Sequence, residues 1–238
     1  MARYDGDQEL ADECIAAFNS SLQTPISGKF GSVLKVTVRD SQYFVKRVVS
    51  TDKNIIKTEL GINLKLTREI PEFVSNLICS KYTDTGVSAE VYLVFEAPPG
   101  YNLYEYMVAM GDKWKRNADK LYCSIKAAQL AMNRAGFIHR DIKPGNIYVI
   151  VENGVFKKCK LIDMGLSVRI GTKTRPAGTL NYMPPTMRNL RSYRRTHNNK
   201  AFSAHNDYSV DYIWRYDFGM TRDPPNCSRG GRRTRRNR

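Results

Sequence analysis

His139-Arg140-Asp141-Ile142-Lys143-Pro144-Gly145-Asn146 is the stretch on which the reading of this chain turns. A helical pattern from Lys113 to Ala135 runs into it, with Leu121, Ile125, Ala128 and Met132 in register and Gly136 closing the helix. An apolar run, Ile147 to Val151, follows it. The turn Glu152-Asn153-Gly154 and a second run at Lys160 to Ile162 complete a small hairpin. Seventeen residues beyond Asn146 stands Asp163, in Leu161-Ile162-Asp163-Met164-Gly165. Two carboxylates, an amide and a lysine thus gather about one short hairpin. Taken singly, Asp141, Asn146 and Asp163 are ordinary turn formers in polar loops; their order carries the information.

Upstream, the chain alternates as strands do. Ile26-Ser27-Gly28-Lys29-Phe30-Gly31-Ser32-Val33 is followed by Leu34, Val36 and Val38, a turn at Arg39-Asp40-Ser41, and Tyr43 to Val49, which reads as two or three antiparallel strands. Lys46 stands thirteen residues past Val33. Asn54 to Leu66 has helical spacing and carries Glu59; Glu69, near Pro71, is the alternative acid. Leu77 to Tyr82 and Glu90 to Glu96 form a further strand pair. Ala97-Pro98-Pro99-Gly100 then breaks regular structure and marks the boundary to a helical lobe. Ahead of all this, Asp7 to Leu22 reads as a short amphipathic helix.

Together these elements resemble the protein kinase family over roughly Ser20 to Phe218, in the order glycine loop, strand lysine, helix glutamate, catalytic loop, metal aspartate. The resemblance implies an α+β fold with two lobes: an antiparallel sheet plus one helix, then a mainly helical lobe that lacks the family's last helices. It divides the chain into an extension at 1–19, an N-lobe at 20–97, a C-lobe at 98–222 and a disordered tail at 223–238. It implies transfer of the γ-phosphoryl of ATP with Mg2+, or Mn2+, as cofactor. Such transfer asks mainly for positioning and charge neutralisation. Asp141 then orients the acceptor hydroxyl and takes its proton, Lys143 offsets charge, and Asn146 and Asp163 supply metal ligands. Lys46 contacts the α- and β-phosphates and Glu59 holds it. Gly28, Gly31 and Val33 cover the nucleotide, with Ile26 where the family has its first glycine. Phe95 guards the back of the adenine pocket, the backbone at Glu96 and Pro98 faces adenine, and Asn102 reaches the ribose. Proline has no N–H, so one usual bond to the base is missing. Lys143 together with Thr179, in Gly178-Thr179-Leu180-Asn181-Tyr182, goes with serine/threonine specificity and a protein substrate. Arg140 is of the type that pairs with a phosphorylated activation segment, with Thr172 and Thr174 as acceptors; a plain basic loop is the competing reading.

The pattern also departs from the family. Met164 replaces a phenylalanine, and Thr186 stands where a glutamate makes a buried ion pair. Asp207 and Asp211 compete for the aspartate position of the central helix. A trimmed kinase of this kind is seen in large DNA viruses, an analogy alone. The departures keep open a pseudokinase scaffold that binds nucleotide or a partner without turnover.

Composition adds a different constraint. The formal net charge is +15 and the pI about 9.7, which favours nucleic acid or another acidic partner, above all through Arg229, Arg232, Arg233, Arg235, Arg236 and Arg238. A nucleic-acid-associated basic protein is therefore a further reading. Five scattered cysteines, an odd number without C-x-x-C spacing, argue against a disulfide framework and for a reducing compartment. No run reaches about 18 apolar residues and no signal peptide is seen, so the expectation is an intracellular monomer, cytoplasmic or nuclear, away from membranes.

Overall fold

The computed structural model describes residues 2–28, 31–188, 201 and 204–227. Six strands build one antiparallel sheet: β1 (Ala2–Asp5), β2 (Ile26–Gly28), β3 (Gly31–Val38), β4 (Ser41–Ser50), β5 (Leu77–Asp84) and β6 (Ala89–Glu96). Their order is β1-β5-β6-β4-β3-β2. The register that matters for the site pairs Val33 with Lys46, and Lys46 with Leu93. Gly31 has φ of 128°, and a Cβ there would lie 2.3 Å from the Arg47 carbonyl oxygen. Only glycine lets the β2–β3 turn sit this close to β4.

Two helices cover the two faces of this sheet. On one side lies α1 (Gln8–Ser20), N-capped by Asp7, whose carboxylate accepts from the Leu10 N–H. Its apolar face (Leu10, Ala11, Cys14, Phe18) packs on Leu34, Val36, Val45 and Val94. Residues set apart in the sequence as an extension therefore build into the sheet, and β1 pairs with β5. On the other side lies α2 (Lys53–Glu69), capped by Asp52. Its Ile56 packs with Val48, Leu77, Val91 and Leu93, while Ile62 and Leu66 reach into the core of the second lobe. The helix carrying Glu59 thus contacts both halves of the molecule.

The chain crosses at Ala97–Pro99. Regular structure resumes one residue earlier than the sequence suggests, because β7 (Gly100–Asn102) pairs with the hairpin of β9 (Ile147–Glu152) and β10 (Val155–Leu161). Helix α3 (Leu103–Met110) follows, started by a capping box between Asn102 and Glu105. The long helix expected from Lys113 to Ala135 is divided. A 3-10 segment, Gly111–Asn117, lays Trp114 into the core, and α4 (Ala118–Arg134) begins after Asn117, which leaves helical geometry at φ −103°, ψ 2°. Strands β8 (Phe137–Ile138) and β11 (Val168–Arg169) pair around the catalytic-loop stretch. Helix α5 (Ala204–Tyr212) and a π-helical turn, Ile213–Asp217, complete the lobe. There Trp214, fully buried, contacts Tyr122 and Phe218.

The cysteine expectation is corrected. Cys123 of α4 and Cys227 form a disulfide across 104 residues, with Cα atoms 5.2 Å apart; Cys14, Cys79 and Cys159 are buried thiols. No local spacing reveals such a pair, because it depends on the chain folding back past α5. Residues 223–227, assigned in the sequence to the tail, are held there, with Arg222 also paired to Asp119. The arginines from 229 onward lie outside the described residues. Among the described residues no helix is long and apolar enough to cross a membrane.

Phe18 ties α1 to the sheet, edge-on to Tyr92. Phe18→Ala should lower unfolding free energy by about 3 kcal/mol, measured as a fall in the urea midpoint; a change within error would mean that α1 is not part of the lobe.

Candidate active site

The site lies where β4, α2 and the end of β10 converge. Lys46 points inward from β4 and is buried. Its Nζ is 2.6 Å from Oε1 of Glu59 and 2.6 Å from Oδ1 of Asp163. Burial works against a charge on Lys46, but the two carboxylates overcome it and hold its pKa above the ordinary lysine value. Asp163 is pushed up by burial and pulled down further by Lys46, so that it stays ionised below the usual aspartate range. Burial raises Glu59, with Lys46 opposing. One ammonium between two carboxylates leaves the trio formally at −1. The surplus sits at Asp163, the more open of the two acids, at 36% side-chain exposure against 3% for Glu59.

Asp163 has φ 64° and ψ 81°, a left-handed conformation that aspartate tolerates, and its carboxylate caps the following turn through the Gly165 N–H. Asn146 is brought to the same place by the backbone: its carbonyl accepts from the Ile162 N–H at 3.0 Å. Its amide nitrogen donates to both the carbonyl and the carboxylate of Asp141. That leaves the amide oxygen as the side chain's metal-ligating atom.

Asp141 is enclosed. Oδ1 accepts from the Thr179 N–H and hydroxyl, each at 2.7 Å, and Oδ2 accepts from Lys143 at 2.8 Å. Lys143 also donates to the Thr179 hydroxyl at 2.9 Å. Burial raises the Asp141 pKa, and the bonds from Lys143 and Thr179 more than offset it, so the net shift is downward. Gly178 makes this approach feasible: a Cβ there would lie 2.3 Å from the Arg140 carbonyl oxygen. His139 braces the loop. It is fully buried and held neutral by burial, with Nε2 donating to the Ile162 carbonyl and Nδ1 accepting from the Asp141 N–H.

The profile of the family described as "Protein kinase domain" matches residues 26–203. This chain belongs to the protein kinase family. It is 32% identical over 168 residues to the Aurora/IPL1-related protein kinase 2 of Caenorhabditis elegans, covering 68% of this chain and 53% of that protein. It is 31% identical over 196 residues to an Aurora kinase of Debaryomyces hansenii, covering 79% of this chain and 42% of that one. It is 30% identical over 145 residues to the Sperm motility kinase 3A of Mus musculus, covering 61% and 24% respectively. The chain thus spans about half, or less, of these relatives' lengths. The bilobal α+β kinase fold is the one seen here, and membership implies ATP and a divalent metal in general.

The remaining sequence candidates are placed as follows. Ile26 pairs with Val33 and its side chain is largely exposed; Gly28 faces Gly31, and the loop tip between them lies outside the described residues. Phe95 packs against the cluster around α2. Glu96 turns its carboxylate outward to Asn76. Asn102, expected at the ribose, spends its side-chain oxygen on the Glu105 N–H as a helix cap. Of the two threonines near Arg140, it is Thr174 whose hydroxyl accepts from the guanidinium, at 2.9 Å; Thr172 is engaged through its backbone with Arg169 and Ala201. The contest between Asp207 and Asp211 goes to neither. Asp207 pairs with Lys126 and Asp211 accepts from Tyr122. Asn206, fully buried, accepts the Arg140 N–H at 3.3 Å and donates to Asn133. Sequence reasoning missed Asn206 because an amide was not weighed where a carboxylate was sought.

Because folding lowers the Asp141 pKa, ionised Asp141 contributes stability. The wild type should exceed Asp141→Asn in stability at any pH above about 4, the ordinary aspartate value. That excess should shrink as pH falls through the lowered folded-state value, followed as urea midpoints across an acidic series. A difference independent of pH would contradict the assigned ion pair.

Proposed function

We propose that this chain is a serine/threonine protein kinase that transfers the γ-phosphoryl of ATP to a protein hydroxyl, with magnesium held by Asp163 and Asn146. The reading is carried by one observation: the lysine of the sheet lobe makes simultaneous 2.6 Å contacts with Glu59 and with Asp163 of the helical lobe. A buried lysine fixed in this way presents a directed cation to phosphate oxygens, and its position is set before any ligand arrives.

The donor set fits a hard cation. Asp163 offers an open carboxylate and Asn146 an amide oxygen, the ligand types that magnesium accepts alongside phosphate oxygens. When bound, the metal would neutralise phosphate charge. Two protein oxygens do not make a cage, and among the described residues no cluster of three acidic, histidine or cysteine side chains does so either.

The protein's own part is positioning and proton transfer. Asp141, held ionised, accepts the proton of an incoming hydroxyl on the oxygen now shared with Thr179. Lys143, bonded to both Asp141 and Thr179, supplies positive charge beside the transferred group. Thr179 marks the place of the acceptor: its hydroxyl already makes with Asp141 the hydrogen bond a substrate serine or threonine would make. Phosphorylation of Thr174 would set a dianion on Arg140 and is the activating event in this reading. The chain acts as a monomer, and the arginines past residue 228 add affinity for acidic partners or nucleic acid.

The full chain with labelled ATP, magnesium and a basic acceptor protein should place label on serine or threonine. Asp141→Ala should cut the rate about 10²–10⁴-fold, and Thr179→Ser should retain more activity than Thr179→Ala. Label on tyrosine would overturn the specificity, and label undiminished in Asp141→Ala the assignment of the site.

A further inference from the structure

The slot in which a base would lie is closed by two aromatic rings. Phe44 is two residues before Lys46 on β4, so its side chain shares the inward face with that lysine. Tyr148 is two residues after Asn146, at the start of β9 and directly across from Asn102 of β7. One comes from the sheet lobe and the other from the helical lobe, and their rings meet edge to face, with centroids 5.6 Å apart and planes at 77°. A flat base between two surfaces needs about 3.5 Å to each, hence about 7 Å of clear separation. The rings leave no such gap.

A hydrogen bond fixes the closed arrangement. The Tyr148 hydroxyl donates to the Pro98 carbonyl at 2.9 Å. Pro98 has no N–H, and here its carbonyl is engaged, so the central residue of the crossing offers a base little. Tyr148 is buried, and burial pushes its phenol up to about 12, so it remains a donor at neutral pH. Two cavities flank the slot: about 350 Å³ behind the crossing, between Glu72, Asn76 and Lys160, and about 230 Å³ between α2 and Gly165. Neither cavity is lined by Phe44 or Tyr148. At the phosphate end, by contrast, Lys46 is already in contact with Glu59 and Asp163.

We propose that Phe44 and Tyr148 form an aromatic gate across the base slot, which makes Tyr148 the residue that sets affinity for the base while the phosphate end binds independently of it. This rests on the nucleotide reading above. A base enters only when Tyr148 leaves Pro98, so apparent affinity for ATP is reduced by the fraction of molecules that are open. Selection between purine bases is weak, because the binding energy comes from the phosphates and the metal.

The test compares wild type, Tyr148→Leu, Tyr148→Phe and Phe44→Ala, all as full chains, by calorimetric titration with magnesium and ATP, GTP or inorganic tripolyphosphate. Tyr148→Leu and Phe44→Ala should bind ATP about tenfold or more tightly than wild type, as expected when a form populated at about 10% or less becomes dominant. Tyr148→Phe, which removes only the bond to Pro98, should fall between and keeps the test open should the larger changes unfold the lobe. Tripolyphosphate should bind all four alike. Equal ATP affinity in wild type and every variant would overturn the gate and leave the nucleotide site standing. Failure of every chain to bind any of the three ligands would overturn the nucleotide reading and the gate with it.

Discussion

The contact of Lys46 with both Glu59 and Asp163 is the constraint to which the rest of the molecule is fitted. It joins three elements far apart in sequence: a strand of the sheet, the helix beneath it and the turn after the hairpin of the other lobe. A buried ammonium without carboxylates would be costly. Each partner must therefore be delivered accurately. Glu59 is delivered by a helix that packs on both lobes, through Ile56 on one side and Ile62 and Leu66 on the other. Asp163 is delivered by a left-handed residue at the end of β10, itself held through His139 and Asn146 to the catalytic loop.

Around Asp141 the same logic works through the charge of Lys143 and a set of neutral groups. The backbone of the loop is bonded from below by Asn206 and from the side by His139, and the Asp141 carboxylate is bonded from the activation segment by Thr179. Arg140, at φ 68°, turns its guanidinium toward that segment and bonds the Leu166 carbonyl and Thr174. Catalytic carboxylates often sit in strained or crowded loops. Here two consecutive residues divide the work: Arg140 organises the segment, and Asp141 faces the cleft.

The sequence made the two-lobed fold legible because period and punctuation agreed. The strand pattern from Ile26 to Val49, the helix around Glu59, and the hairpin around Glu152-Asn153-Gly154 all correspond to observed elements. Lys46 meets Glu59 and Asp163, and Asn146 meets Asp141 on the adjoining loop. What was not legible depended on tertiary contact. Strand β1 is defined by β5 and not by any pattern of its own. The break at Asn117 answers the burial of Trp114. The capping box that opens α3 was readable in Asn102 and Glu105 but masked by the attraction of a ribose contact. Asn206 replaces an expected acid, and the union of Cys123 with Cys227 needs the fold to exist first.

Helix α1 bears on how the two halves can move. A sheet covered on one face alone would flex strand by strand; this one is gripped between α1 and α2, and side chains of β3, β4, β5 and β6 share the contacts of α1. Such a layered body resists bending. Opening the cleft then resembles the swing of a stiff arm about the short crossing at Ala97–Pro99. A few degrees of rotation at that pivot displace the far end of the arm, where Ser50 of β4 pairs with Ala89 of β6, more than they displace Tyr43 and Glu96 beside it.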